Sequence, residues 1–289
     1  MKRSIFHYSI EEVAPYIDWS YFLHAWGMGN TGKQSSTASV ADVSLRSSMT
    51  TPADALLDDA RAMLKELDGK YCTHALFALC DARGDGDNLV IEGTTLPLLR
   101  QQHALAGKPN LCLSDFVSPH GDSIGLFATT VDCKLGEELV GDDYKRIMAQ
   151  ALADRLAEAT ATLMHRTVRT KPEFWGYAPE EQLGIEELNR EEYQGIRPAI
   201  GYPSLPDQSV IFIIDRILKL TEIGITLTPN GAMTPHASVC GIMIAHPLSR
   251  YFGVGEISEE QLDDYCLRRG LPRENVRKFL ARNISEEKL

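Results

Sequence analysis

The stretch CTHALFALCDARGDGDNLVIEG, residues 72–93, decides the fold that we predict for this chain. Two runs of apolar and β-branched residues flank a turn segment of Asp, Gly and Asn, which is typical of a β-hairpin. The part from Asp81 to Glu92 also approximates the spacing of a calcium-binding loop. However, Arg83 occupies a ligand position and the flanking segments are strands rather than helices, so the hairpin is favoured.

Strand and helix patterns lie in blocks on both sides of this hairpin. Helical spacing of apolar residues predicts one helix over 51–69 and a long one over 142–169, which Asp142 or Asp143 can cap. Further strands are predicted at 122–131, 224–233, 238–246 and 250–257, and the segment 209–218 fits either a helix or a strand. Two closing helices are predicted at 258–270 and 273–284. The first of them begins with a capping box from Ser258 to Gln261. Strands joined by turns, with helices in blocks, predict an α+β fold with a mainly antiparallel sheet.

Composition argues against several classes of function. The 289 residues carry a formal net charge of −11, whereas general nucleic-acid binding needs a basic surface. The sequence contains no run of about 18 apolar residues, the length needed to span a membrane. No signal peptide is predicted at the N-terminus. The six cysteines form no C-x-x-C pair, so we expect free thiols in a reducing cytoplasm and no metal site. Residues 29–50, rich in Gly, Ser and Thr, predict a flexible excursion within one domain over 1–289.

A second informative stretch is EEYQGIRPAIGYPSLPD, residues 191–207. Each proline fixes its own φ and biases the preceding residue toward extended geometry, which predicts a stiff loop around Arg197. A guanidinium held on a stiff loop suits recognition of a carboxylate or a phosphate. A structural arginine that ties down the loop is the alternative.

Seven segments together resemble one protein family, in sequence order. They are YIDWSYF (16–22), LSDFVSP (113–119), DDYKRIMAQALADRLAEA (142–159), FWGYAPEEQL (174–183), EEYQGIRPAIGYPSLPD (191–207), ASVCGIMIAHPLSRYF (237–252) and DDYCLRRG (263–270). The chain resembles the C-terminal activation domain of cobalamin-dependent methionine synthase over almost its whole length. The resemblance implies a single C-shaped α+β domain with a long twisted antiparallel sheet and flanking helices.

The resemblance also implies an activity. The family binds S-adenosylmethionine and supports reductive methylation of inactive cob(II)alamin to methylcobalamin, with an electron from flavodoxin or a flavoprotein reductase. This sequence contains no cobalamin-binding D-x-H-x-x-G motif. We therefore expect the cobalamin on a partner methionine synthase subunit, reactivated in trans.

Site residues follow from the resemblance position by position. It implies that Arg197 binds the methionyl carboxylate, that the Ala199 backbone lines the pocket, and that Tyr202 lies at the reacting end. Asp18 matches an acidic ligand contact, with a helix N-cap as its alternative. Glu158 and Glu191 match glutamates at the cofactor face and are grouped with Tyr202 as catalytic. Because Asp154 and Glu158 form a like-charge pair on one helix, we expect a cation nearby, from the ligand or from an Arg or Lys.

The sequence departs from the family pattern in two places. Met243 and Ile244 stand where an aromatic pair is common; they are predicted to contact the adenine, with weaker stacking and weaker affinity for S-adenosylmethionine. Gln208 replaces a frequent histidine, so the contact of this loop with cobalamin or a neighbouring domain is expected to differ. These departures keep a second function open, a non-catalytic sensor or chaperone that binds S-adenosylmethionine or a corrinoid.

Two further interpretations come from the residues alone. The arginines of LRRGLPRENVRKFLAR (267–282) could form a docking face for an acidic flavodoxin, or simply favour helix C-termini and solvent. A hydrolase that uses Ser204 or Ser238 with His246 and Asp207 is the weakest hypothesis, because no motif places a nucleophile on a strained turn.

Overall fold

The structure is a computed structural model that describes residues 1–28, 51–104, 107–135 and 141–284. The excursion predicted at 29–50 lies outside the described residues. The strands of the described part are β1 (Lys2–Ser9), β2 (Cys72–Asp85), β3 (Asn88–Ile91), β4 (Thr94–Pro97), β5 (Asp122–Val131), β6 (Thr226–Leu227), β7 (Met233–Thr234) and β8 (Ser238–Met243).

The predicted hairpin is confirmed and lies at the middle of the main sheet. Strands β2 and β3 pair antiparallel from Ala82↔Ile91 to Asp85↔Asn88. Gly86 turns the chain between them with a φ of 57°, which glycine adopts without steric cost.

The long strand β2 organises the sheet because it has three partners. One of its edges pairs with β5 over almost its whole length, and the other is shared by β1 and then β3. The strand order is β4-β3-β2-β5-β8, with β1 also on β2, and all of these pairs are antiparallel. The mainly antiparallel sheet of the predicted α+β fold is thereby confirmed. β6 and β7 form a separate short pair.

Helices flank this sheet. The α-helices of the described part are α1 (Ile10–Val13), α2 (Trp19–Ala25), α3 (Pro52–Leu67), α4 (Asp143–Thr170), α5 (Ile185–Asn189), α6 (Ile211–Leu218), α7 (Glu259–Arg269) and α8 (Arg273–Phe279). Short 3₁₀ turns lie at Ala14–Tyr16, Leu113–Phe116, Gln208–Val210 and Leu220–Ile223.

Helix α4 positions much of the site described below. It begins where the Asp142 carboxylate accepts a hydrogen bond of 3.0 Å from the Lys145 N–H, as predicted for a cap. Small residues on its buried face let the helix approach the sheet closely. The Thr129 hydroxyl of β5 reaches the Ala157 carbonyl at 2.9 Å, and Ala157 is buried.

The sheet separates two apolar cores, because alternate residues of β2 point to opposite faces. Leu76 and Ala78 face the core that contains α6. Ala75 and Phe77 face the core that contains α3 and α4. A smaller third cluster, which includes Tyr265 and Leu280, joins α7 and α8.

Five local features differ from the predictions or were left open by them. The segment 224–233, predicted as one strand, contains only the short β6 and the start of β7. The segment 250–257 carries no strand; Val254 donates instead to the Pro203 carbonyl at 2.9 Å. Ser258 caps α7, but the Gln261 amide donates to the Arg100 carbonyl rather than completing a capping box. β1 was not predicted, and 209–218 resolves into a 3₁₀ turn followed by α6. None of the described helices has the length and apolar character needed to cross a membrane.

Candidate functional site

A groove of about 620 Å³ lies between α4, the start of α2 and the Pro-rich loop 191–207. Six of the eight predicted site residues line it, namely Asp18, Glu158, Glu191, Arg197, Ala199 and Tyr202. Its volume is within the range of roughly 300–1,000 Å³ that is typical of small-molecule sites. The structure therefore brings together residues that are far apart in sequence.

The Pro-rich loop is held against the sheet by backbone hydrogen bonds. Ile196 and Ile244 exchange two bonds of 2.9 Å, and Ile200 N–H donates to the Cys240 carbonyl at 2.9 Å. The Pro198 carbonyl accepts from Ile242 at 3.1 Å. The loop is thus stiffened by pairing along β8 as well as by its prolines.

Gly241 makes this close approach possible. A Cβ at this position would lie 2.3 Å from the Pro198 carbonyl oxygen and 2.8 Å from the Ala199 Cα. Both are backbone atoms, so no side-chain movement could relieve the overlap. Glycine at 241 therefore sets the distance between the loop and β8.

Arg197 lies in the groove wall with its guanidinium mostly buried, at 18% exposure. Its Nη2 donates to the Thr162 hydroxyl at 2.9 Å, its Nη1 lies 3.8 Å from a Glu158 carboxylate oxygen, and its backbone N–H donates to the Tyr251 hydroxyl at 2.9 Å. Its Nε has no hydrogen-bond partner among the described residues. Burial lowers the pKa of Arg197, but the combined effect of Tyr193, Tyr251 and Glu158 in raising it is larger. The net pKa of Arg197 is therefore raised, and the guanidinium is charged.

Glu158 joins α4 to the loop. One carboxylate oxygen accepts a 2.7 Å hydrogen bond from the Tyr202 hydroxyl, and the other faces Arg197. Burial of the phenol, together with the Glu158 charge, raises the pKa of Tyr202, so the hydroxyl is a donor at neutral pH. The cation expected near Asp154 and Glu158 is supplied by Arg197, whose Nη1 lies 3.8 Å from a Glu158 carboxylate oxygen.

Asp18 and Glu191 add two more carboxylates to the groove lining. Asp18 caps α2 by accepting from the Ser20 N–H at 2.9 Å, which confirms the cap; its ligand contact stays a prediction. Glu191 has a left-handed backbone with φ of 58°. Burial raises the pKa of the Glu191 carboxyl, and the Arg197 charge offsets part of that rise.

Met243 and Ile244 are not brought to the groove. Both are almost completely buried, with Met243 in the core under α4 and Ile244 in the opposite core. Gly125 lies beside Met243 across the β5–β8 pair. Side chains with almost no accessible surface cannot contact a ligand, so the predicted contacts of Met243 and Ile244 with the adenine were wrong. The expectation of weaker affinity from Met243 loses its basis as well.

The sequence reasoning missed other groove residues, among them Arg155, Thr162, Tyr193 and Tyr251. Arg155 and Thr162 lie on α4 within about one turn of Glu158. Their helical spacing from Glu158 would have been enough to predict that they share its face of the helix. Tyr251 comes from the segment mistaken for a strand. Its hydroxyl lies 3.2 Å from that of Tyr193, which in turn stacks under Arg169, so no local pattern marks this pair.

The family of this chain is shown by its similarity to known proteins. A family model described as "Vitamin B12 dependent methionine synthase, activation domain" matches residues 9–270. The chain belongs to this activation-domain family. A crystal structure of the MetH reactivation domain bound to AdoHcy is similar to this activation domain, with a TM-score of 0.85 and 36% sequence identity. The alignment covers 99% of this chain and 91% of that chain. The family expected from the seven segments is confirmed.

The C-terminal arginines of this activation domain are largely engaged within the domain. Arg268 donates to the carbonyls of Asp87 and Leu98, and Arg269 donates to Ser209 beside the buried Asp207. Arg273 pairs with acidic residues of α7. These contacts favour the structural interpretation of this stretch over a basic docking face.

The residues of the hydrolase hypothesis are committed to other contacts. Asp207 accepts from Ser209 and Tyr265, Ser204 from the Phe252 N–H, and Ser238 shares a hydrogen bond with Thr130. The exposed His246 accepts from the Leu248 N–H. Gln208 donates to the Gly231 carbonyl at 2.9 Å and does not line the groove. No triad is assembled among these described residues.

Proposed function

We propose that this activation domain binds S-adenosylmethionine in the groove. Bound there, it supports reductive methylation of a cob(II)alamin carried by a partner methionine synthase subunit, in trans. One electron, from flavodoxin or a flavoprotein reductase, and the methyl group of S-adenosylmethionine together give methylcobalamin and S-adenosylhomocysteine. The similar domain with bound AdoHcy supports a ligand of this class.

The observation that carries the proposal is the state of Arg197. Its guanidinium is buried and oriented by Thr162 and Glu158, yet its Nε–H is unpaired among the described residues. A buried unpaired donor on a cation is costly, and a ligand carboxylate would satisfy it by a charge-assisted hydrogen bond. The methionyl carboxylate of S-adenosylmethionine is such a group.

The charge of the groove suits the cationic parts of the same ligand. Three carboxylates line it, from Asp18, Glu158 and Glu191, against the guanidiniums of Arg155 and Arg197. S-Adenosylmethionine carries an ammonium and a sulfonium, whereas S-adenosylhomocysteine lacks the sulfonium charge. We assign the carboxylates to these cations, with Ala199 contributing backbone to the wall.

Tyr202 is placed to orient the methyl-bearing end of the proposed ligand. Its side chain is 52% exposed at the rim of the groove while its hydroxyl is held by Glu158. A half-exposed, oriented phenol at the rim can contact both a bound ligand and an approaching corrin face. We therefore assign Tyr202, with Glu158 and Glu191, to positioning of the transferred methyl group.

The test is spectroscopic. Purified domain is mixed with a cob(II)alamin-loaded methionine synthase fragment, S-adenosylmethionine and a low-potential electron donor. Formation of the methylcobalamin spectrum only when the domain is present supports the proposal. Ligand binding by calorimetry without any conversion would favour the non-catalytic binding module instead, and absence of both would refute the proposal.

A further inference from the structure

A second, smaller cavity lies at the end of the sheet where β1, β2 and β5 meet. It has a volume of about 240 Å³, and its lining includes His7, His74, Asp132 and Cys133. None of these four residues lines the groove. The family relationship assigns them no role, so the cavity raises an independent question.

The two histidines point their ring nitrogens at each other. His7 and His74 are direct partners in the antiparallel β1–β2 register. Their Nδ1 atoms are 2.7 Å apart and their ring planes cross at 77°. At that distance one Nδ1–H donates a hydrogen bond to the other Nδ1, so both Nδ1 atoms are directed at one region of the cavity.

Asp132 fixes which nitrogen of His74 is free. The His74 Nε2 lies 2.9 Å from one Asp132 oxygen, and the other oxygen accepts from the Cys72 backbone N–H at 2.7 Å. A carboxylate anchored in this way accepts a hydrogen bond from Nε2–H, which leaves Nδ1 of a neutral His74 with its lone pair toward His7. Metal-binding histidines in proteins are oriented by this same carboxylate contact.

We propose that His7 and His74 form a binding site for a divalent transition-metal ion such as Zn²⁺, with both Nδ1 atoms as ligands and Asp132 as the orienting group. With Zn–N bonds of about 2.0–2.1 Å in tetrahedral geometry, the two nitrogens would stand about 3.3 Å apart. The observed 2.7 Å therefore has to open by about 0.6 Å. His7 is exposed and can rotate, and as its Nδ1 gives a proton to solvent its Nε2 takes one up, so that a neutral Nε2–H imidazole presents Nδ1 to the metal ion.

The remaining ligands come from Cys133 and water. Among the described residues no three His, Cys, Asp or Glu side chains are already grouped to hold a metal ion, so the site is completed on binding. Cys133 is an exposed free thiol on the same cavity. Glu222 also lines the cavity but is paired with Arg3 at 2.8 Å, so it is left out of the ligand set. Imidazole and thiolate ligands select zinc, nickel or copper over magnesium or calcium.

The test is calorimetric titration of the untagged protein with Zn²⁺, with Co²⁺ absorption as a second readout. We expect one ion per chain and at least a tenfold loss of affinity in His7→Ala and in His74→Ala. Asp132→Asn should weaken binding roughly 10-fold or more, as loss of an orienting carboxylate does. His120→Ala, which removes an exposed histidine just before β5, is the matched control and should bind as the parent does.

A second measurement does not depend on how the variants fold. In the unmutated protein, Zn²⁺ should protect His7 and His74, but not His120, from acylation by diethylpyrocarbonate, read by mass spectrometry. Equal labelling of His7 and His74 with and without Zn²⁺ would overturn the proposal. So would unchanged Zn²⁺ affinity in both alanine variants, or an equal loss in His120→Ala. These outcomes are independent of whether the groove binds S-adenosylmethionine.

Discussion

The Tyr202 hydroxyl donates a 2.7 Å hydrogen bond to Glu158, and this contact ties the rim of the Pro-rich loop to the middle of helix α4. The same carboxylate faces Arg197, so one acidic side chain orients both the proposed carboxylate-binding residue and the proposed reacting-end residue. Because these three side chains are in contact through Glu158, we expect the effects of substituting them to be coupled.

Arg197→Ala should abolish most binding of S-adenosylmethionine. Loss of hydrogen bonds to a charged group costs about 1.5–3 kcal/mol, which corresponds to a 10- to 150-fold weaker dissociation constant in calorimetry. Arg146→Ala is the control, because Arg146 is an exposed residue of α4 that pairs with Asp143 and does not line the groove. Affinity that survives in Arg197→Ala would refute the role of this guanidinium.

Tyr202→Phe should separate binding from methyl transfer. The variant keeps the ring but loses the hydrogen bond to Glu158, so we expect a change of less than about threefold in the dissociation constant and a fall of about tenfold in the rate of methylcobalamin formation. A Tyr144→Phe control removes the hydroxyl of another tyrosine that bonds to an acidic residue, Asp59, away from the groove. Equal rates for Tyr202→Phe and the parent protein would contradict the assignment.

Gly241→Ala should push the Pro-rich loop away from β8. The new Cβ would meet the Pro198 carbonyl at 2.3 Å, and overpacking of this kind costs about 1–3 kcal/mol of folding free energy. Urea unfolding should show this loss, and calorimetry should show weaker ligand binding in the same variant. Gly184→Ala is the matched control, since its Cβ would meet only the movable end of the Glu187 side chain.

Acidification should destabilise the protein partly through His165. Burial, with the charges of Arg169 and Arg197, holds the pKa of His165 well below its ordinary value of 6.5. Below about pH 6.5 the unfolded chain therefore takes up a proton that the folded chain does not, and stability falls by up to about 1.4 kcal/mol per pH unit.

The measurement is the free energy of unfolding in urea between pH 7 and pH 5. The His165→Gln variant should lose this part of the slope, whereas replacement of the exposed His246 by glutamine should retain it. Parallel slopes in His165→Gln and the parent protein would show that His165 is protonated in the folded state.

Asp207→Ala should be strongly destabilising. Asp207 is 2% exposed and receives hydrogen bonds from Ser209 and Tyr265 beside the Arg269 guanidinium. Removing one partner of a buried pair costs about 3–5 kcal/mol, because the other charge is left buried. Asp264→Ala, which breaks an exposed pair with Arg268, should cost about 0–1 kcal/mol in the same urea assay.

The local part of the fold was accessible from sequence. The hairpin at 72–93, the long helix and the caps at Asp18 and Asp142 follow from short-range patterns, and the structure confirms each. β1 was missed because its residues alternate only weakly, and its strand state depends on pairing with the distant β2. The apolar residues of 250–257 gave a strand-like pattern, but among the described residues this segment forms no strand and only Ile257 makes a bridge, to Ile284.

The site was predictable where a local feature limits the chain. Prolines around Arg197 predicted a rigid loop, and the Asp154–Glu158 pair predicted a nearby cation. Met243 shows the limit of this reasoning, since its position in a family motif gave no information on which face of β8 it occupies. The face is decided by contacts across the sheet, including those with Gly125 and α4.

The pairing of the Pro-rich loop with β8 also covers an outer edge of the main sheet. β8 ends the strand order of the main sheet, and an open outer strand invites another chain to add to it. Here the backbone groups of Cys240, Ile242 and Ile244 are already taken up by the loop. A substitution that frees the loop is therefore expected to weaken the proposed ligand binding and, at the same time, to expose a strand edge to which another chain can add.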